Sequence, residues 1–324
     1  MLRRQFLQLA ASAAMIPTVS RVAWAQTYPS RRPVRIIVPF PPAGSNDIVA
    51  RVIAMPLGER LGEQVIVDNR PGAGAVVGTE LAANAPKDGH TLLLVALSHA
   101  INPSLHKLPY DPIKGFAPIA MIASGPVVLV VNPELQAKSV NELIALAKAK
   151  PGQLQYASSG VGTLTHLSAE LFKLAAGVDM LHVPFRGGGP ANIDLIGGHT
   201  KVMFNNVPTA MPHIRSGKLR ALGVGGAKRI SVLPDVPTIA EAGVPGYEAT
   251  NWWGILAPAG TPATIVERLH TEITAIQNSP DVQRQFAAEG AEVVHMSSAE
   301  FGTFLVTEVS KWERVVKTAN IRAE

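Results

Sequence analysis

Val34-Arg35-Ile36-Ile37-Val38-Pro39-Phe40-Pro41-Pro42-Ala43-Gly44-Ser45-Asn46-Asp47-Ile48 is the stretch that decides the fold. Its apolar, β-branched start reads as a buried strand. The prolines and Gly44 stop that strand and shape a turn. Ser45, Asn46 and Asp47 are residue types that open helices. Ile48, Val49, Val52, Ile53 and Leu57 then fall close to one helical face. A helix start presents free N–H groups and the positive end of its dipole. Small residues in front of it let an anion approach the backbone, so the loop reads as a carboxylate seat. An ordinary strand–turn–helix connection is the commoner origin of such a pattern.

The same grammar continues along the chain. Strands are expected at Val34–Val38, Val65–Asp68, Thr91–Ala96, Ala117–Ile122, Val127–Val131, Gln155–Ala157, Met180–Val183, Val202–Phe204 and Leu219–Val224. Helices are expected at Asn46–Leu61, from the Gly72 loop to Ala83, and at Val140–Lys150, His166–Ala175, Ala191–Ile196, Thr209–Ser216, Thr261–Ser279 and Ala299–Ala319. Pro56 lies inside the first helix, where a missing N–H and a steric clash predict a kink or break. Alternating strands and helices predict parallel sheets covered on both faces. Ligands of such sheets sit beyond the carboxyl ends of the strands. The loops after Val38, Ala96, Ala157, Val183 and Phe204 are therefore the candidates.

The chain opens Met1-Leu2-Arg3-Arg4, runs apolar from Phe6 to Ile16 and offers Ala23-Trp24-Ala25 before Gln26. That order is an export signal over residues 1–25, of the general or the twin-arginine type. Removing its three arginines, with no acid beside them, lowers the net charge from +5 to +2. No basic run tracks phosphates, so nucleic acid is not an expected partner. There is no cysteine to carry a lipid or a disulfide. Stability must come from core burial, which a chain of 324 residues can supply.

Several patterns imitate chemistry. Gly72-Ala73-Gly74-Ala75-Val76-Val77-Gly78 places its third glycine one residue late for a dinucleotide loop. His166 and Glu170 share a helical face but lack a third metal ligand. Metalloprotease, serine-hydrolase and Walker motifs are missing, and Trp252-Trp253 reads as buried packing.

A set of motifs resembles one family in order along the mature chain. It comprises Phe40–Asp47, Asn69-Arg70-Pro71-Gly72-Ala73-Gly74, Asp88-Gly89-His90-Thr91-Leu92, Ile101-Asn102-Pro103-Ser104-Leu105 and Leu108-Pro109-Tyr110-Asp111-Pro112. Tyr156-Ala157-Ser158-Ser159-Gly160, His182-Val183-Pro184-Phe185-Arg186-Gly187-Gly188 and Leu233-Pro234-Asp235-Val236-Pro237-Thr238 complete it. They resemble the substrate-binding proteins of tripartite tricarboxylate transporters, also called Bug receptors. The resemblance implies a monomeric, non-enzymatic periplasmic receptor without cofactor or metal. It would bind a small organic carboxylate and deliver it to membrane permease subunits. A sensor feeding a signalling partner, or a hydrolase of organic acids, are the rival classes.

The implied fold is a type II-like α/β binding protein with two domains, a hinge and an interdomain cleft, a Venus flytrap. Domain 1 would hold residues 26–124 and 225–324, and domain 2 residues 125–224. Crossings are placed at Ser124-Gly125-Pro126 and Gly223–Gly226. The resemblance assigns the first wall to Phe40, Pro42, Ala43, Gly44, Ser45, Asn46 and Asp47. Ser98 and His99 add a third wall. The second domain would close with Ser158, Ser159, Gly160, Gly162 and Thr163, with His166 behind them. Phe185 and Arg186 replace the family's Tyr-Lys pair before Gly187, and Asn205 stands where Asp is common. A neutral Asn205 offers no carboxylate to an ammonium, which points to an organic anion without an amino group.

Overall fold

A computed structural model describes residues 28–288 and 290–318. The expected export signal lies outside them. No helix among the described residues is long and apolar enough to cross a membrane. The opening stretch forms β1 (Val34–Val38), then a turn, then helix α1 (Ser45–Leu61). β2 (Val65–Asn69) and β3 (Thr91–Ala96) run parallel to β1 on either side. α2 (Val76–Ala83) and α3 (Ser98–Leu105) follow them. α1 passes through Pro56 as one helix of 17 residues and is not broken there. One lost backbone bond is outweighed because Ile53, Ala54, Leu57 and Leu61 are buried on both sides of the proline.

β4 (Phe116–Val131) joins two expected strands into one of 16 residues. Its first part pairs antiparallel with β9 (Thr250–Pro258) and with the short β10 (Glu292–Val293). From Val127 onward it pairs antiparallel with β7 (Val202–Asn206) and β8 (Arg220–Val224). Beyond β7 lie β5 (Gln155–Ser158) and β6 (Leu181–Pro184), parallel to one another. The wall-to-wall order is β2-β1-β3-β9-β4-β7-β5-β6. The expected all-parallel arrangement is thus corrected to a mixed one, because β4 and β9 run against their neighbours. β9 itself arrives through the long segment after β8, with no helical crossover between them.

Helices cover both halves. α4 (Val140–Ala149), α5 (Leu164–Ala176), α6 (Gly188–Ile196) and α7 (Val207–Arg215) serve the second half. α8 (Ala263–Gln277), α9 (Pro280–Ala288) and α10 (Ser298–Thr318) serve the first. Residues following β8 stay packed on the second half well beyond Gly226. The Gly225 N–H donates to Val127 O at 2.7 Å, and the Ala249 N–H donates to Gly225 O at 2.8 Å. Tyr247 sits edge-on to Phe172, tilts against Phe204 and donates its hydroxyl to Ser168 O at 2.9 Å. Gln277 pins α8 to the sheet by donating to the carbonyls of Met121, Ile122 and Val294.

α10 lies directly against β9 at Gly254. A Cβ there would overlap the fully buried Phe301 ring and sit 3.1 Å from Ala120 O. Gly254→Ala should therefore cost about 1–3 kcal/mol by overpacking. Urea denaturation checks this, with a lowered midpoint and an unchanged slope expected.

Candidate ligand site

The carboxyl ends of β1, β3, β5 and β7 meet around a narrow cavity of about 40 Å³. Phe40, Pro41, Gly44, Ser45 and Asn46 line it from the β1 loop and α1. Ala96 and Ser98 line it after β3. Ser159, Thr163, Leu164 and Gly188 face them from the second half, with Asn206, Thr209 and Asn251 forming the floor. This volume suits a few waters or one carboxylate group.

Five helices begin at this cavity without a side-chain cap. They are α1 after Gly44, α3 after Leu97, α5 after Thr163, α6 after Gly187 and α7 after Asn206. The first turns therefore leave N–H groups unmet and bring positive dipole ends together. Thr163 does not cap α5; its hydroxyl instead donates to Gly160 O at 2.6 Å. Ser159 and Thr165 tie the same loop through hydroxyl contacts of 2.8 Å.

The asparagines are oriented by groups that can only donate. Trp253 Nε1–H donates to Asn46 Oδ1 at 2.8 Å, which leaves the Asn46 NH₂ for the cavity. The Leu97 N–H reaches Asn251 Oδ1 at 3.4 Å. Asn251 in turn donates to Asn206 Oδ1 at 3.0 Å, leaving the Asn206 NH₂ unspent. The lining contains no Asp, Glu, Lys, Arg or His. It is a wall of neutral donors, suited to an anion that carries its own charge into the site.

Other expected residues lie elsewhere. Pro42 and Ala43 are exposed on the turn. Asp47 turns back to accept from the Ala43 N–H and from Arg51 Nε, both at 3.0 Å. Burial would raise its pKa, but bonds from Arg51 and Ala43 outweigh that and hold it below the usual range. Asp47 thus braces Ala43, which has a φ of 62°. Asn205 is spent on Asn192 and Thr209, at 2.7 and 2.8 Å, and orients Thr209. His99 lies on the buried face of α3, with Nε2 2.7 Å from Pro112 O. Ser158, Gly162 and His166 form a layer behind the second loop. The Gly162 N–H donates to His166 Nδ1 at 3.2 Å, and Ser158 Oγ meets His182 Nε2 at 2.7 Å. The two imidazoles stack with centroids 4.0 Å apart. Gly160, Phe185, Arg186 and Gly187 line a separate, larger cavity next door.

Pro41, Ala96, Leu164, Gly188, Asn206, Thr209 and Asn251 are lining residues that sequence reading missed. The loop after Phe204 was a legible candidate, and Asn206 is its second residue. Asn251 belongs to β9, a strand with no sequence signal strong enough to name it.

The tripartite tricarboxylate transporter family receptor model matches residues 49–321. The BugT protein of Bordetella pertussis is 40% identical over 296 residues, covering 90% of each chain. An R. palustris protein solved with adipate superposes with a TM-score of 0.88 at 37% identity, covering 91% of this chain and 99% of that one. MatC from Rhodopseudomonas palustris, solved with bound malate, gives 0.83 at 33% identity, covering 88% and 99%. The mixed α/β binding-protein fold is the one these structures share.

The stacked histidines give a pH signature. Burial lowers His166 to about 4, and burial with the neighbouring His166 lowers His182 to about 3. The unfolded chain then binds more protons than the folded one below about pH 6.5. Stability should be full above that value and fall as pH drops toward 4. Denaturation midpoints at pH 7.5 and 5.0 measure the loss, and His182→Asn should reduce it, with the remainder coming from His166 and the buried His99.

Proposed function

Because the chain belongs to the tripartite tricarboxylate transporter receptor family, we propose that it is a periplasmic receptor that captures a small organic carboxylate and hands it to membrane permease subunits. The observation that carries this reading is the cavity of neutral donors at five uncapped helix starts. A cation would find no counter-charge there, and a neutral solute would leave the dipole ends unanswered. A carboxylate can accept from several of these donors at once. The relative solved with adipate supports the ligand class.

In this reading two lobes close on the ligand. The first holds residues 28–124 with 250–318, and the second holds residues 127–249. β4 and the start of β9 join them, so Gly125-Pro126 and Ala249-Thr250 absorb the motion. The lobes meet where Gly187 faces Pro41 and where Gly162 faces Leu105. The site residues we assign to the carboxylate are Ser45, Asn46, Ser98 and Asn206, with the amides of the α1 and α5 starts.

The hydrolase alternative would need an accessible nucleophile and base. Ser158 and His182 are within bonding distance, but Ser158 is fully buried. Receptor function is therefore favoured over catalysis.

A thermal-shift screen of mono-, di- and tricarboxylates tests the reading. A true ligand at a hundredfold its Kd adds about 2.7 kcal/mol of stability. Ser45→Ala should weaken it by roughly 1.5–3 kcal/mol in calorimetric titration. Asn206→Asp, nearly the same shape, should abolish binding at neutral pH by placing a second anion beside the first. A panel in which only amines or uncharged solutes stabilise the protein would overturn the carboxylate assignment.

A further inference from the structure

Behind the second-lobe wall of the site lies a stack of three rings. Tyr156 on β5, His182 on β6 and His166 in the first turn of α5 pile up in that order. The two imidazoles lie 4.0 Å apart and within 7° of parallel, and His182 lies 4.9 Å from Tyr156. The small cavity touches none of the three. Each imidazole holds the loop between β5 and α5 through one nitrogen. His166 Nδ1 accepts from the Gly162 N–H at 3.2 Å, so that nitrogen carries no proton. His182 Nε2 meets Ser158 Oγ at 2.7 Å, and the same Oγ accepts from the Gly160 N–H at 3.1 Å.

The loop held in this way needs holding. Gly160 and Gly162 have φ of 130° and 73°, and two glycines so close together leave the backbone many other conformations. What the loop offers the site depends on which one it takes. It carries Ser159 and Thr163 into the lining and aims the α5 start. It also bares the face of Gly162 on which Leu105 of the first lobe packs, where a Cβ would overlap Leu105 Cδ1. The Phe185 and Gly187 N–H groups donate to Ser158 O and Ser159 O at 3.0 and 3.1 Å, so the α6 start is tied to the same loop. At the far end of the stack Tyr156 donates its hydroxyl to Glu170 Oε1 at 2.6 Å. Lys173 donates to that carboxylate at 2.9 Å and lies 3.6 Å from Asp179. Glu170 follows His166 by one turn of α5, so the stack clamps that helix onto β5 and β6.

We infer that His166 and His182 are positioning residues for ligand capture. They fix the Gly160–Thr163 backbone in the arrangement that turns the α5 and α6 starts toward the cavity and keeps Gly162 open to Leu105. This rests on the carboxylate reading above and adds to it two residues that touch no ligand. Rings kept for packing alone would be indifferent to which atom faces the loop. Here one nitrogen must accept from Gly162 and another must bind Ser158, so the nitrogens carry the effect and not the ring faces.

Paired substitutions separate the two roles. His166→Asn puts Oδ1 where Nδ1 stood and keeps the acceptor, whereas His166→Phe keeps a ring and loses the acceptor. His182→Gln and His182→Phe make the same comparison at Ser158. Amide hydrogen exchange without any added acid reads the loop, and calorimetric titration with adipate reads the site. His166→Phe should speed exchange at Gly162, and His182→Phe at Gly160, by about tenfold or more. Both should weaken adipate by a similar factor. The Asn and Gln variants should stay within about threefold of the parent protein in both measurements. Melting curves of each variant show that it is folded. If the Phe variants exchange at the loop like the Asn and Gln variants, or melt lower yet bind adipate with unchanged affinity, the pair is packing only and the inference is overturned. If adipate, malate and benzoate all fail to bind the parent protein, the carboxylate reading falls instead. Faster loop exchange in the Phe variants then still supports the positioning role, and unchanged exchange overturns it.

Discussion

The first turn of a helix leaves backbone N–H groups that need partners, and this chain brings five such turns to one place. Ordinary proteins meet that need with a capping Ser, Thr, Asp or Asn. Here Gly44 and Gly187 cannot cap, and Thr163 and Asn206 are turned to other work. Everything else around the cavity follows from keeping those donors unspent. The Ser159–Thr163–Thr165 hydroxyls satisfy one another, Asp47 is bound back onto its own loop, and Asn205 is consumed within its lobe.

The β4–β9 ladder sets where the five helix starts can meet. β4 serves one half of the sheet with its first residues and the other half with its last. The two groups of helices are therefore hung on one continuous strand, with Gly125 and Pro126 at the change of partners. Gly125 is suited to this crowded point, since a Cβ would lie 3.2 Å from Gly290 O. Pro126 sits opposite Thr250, at the very end of β9, where little of the ladder remains to be lost.

The strand–turn–helix reading at Val34–Ile48 was legible because every local preference agreed there. The same holds for α4 and α5, whose helical periods are clean, and for β3, a short continuous apolar run bounded by turn residues. β9 was not legible, because its tryptophans, Gly254 and uniform burial show no alternation to betray a strand. Asn251 went unseen with it. Asn205 and Asn206 illustrate a finer failure. Successive strand residues point to opposite faces, so a shift of one position exchanges a lobe-interior contact for a cavity-lining one. His99 was expected in a third wall from the family resemblance, and packing turns its ring to Pro112 O instead.

The neutral lining of the small cavity has an energetic consequence for coupling. No group in that wall can gain or lose a proton, so seating an already ionised carboxylate there exchanges no protons with the solvent. The heat of that step is then independent of the buffer's own ionisation enthalpy.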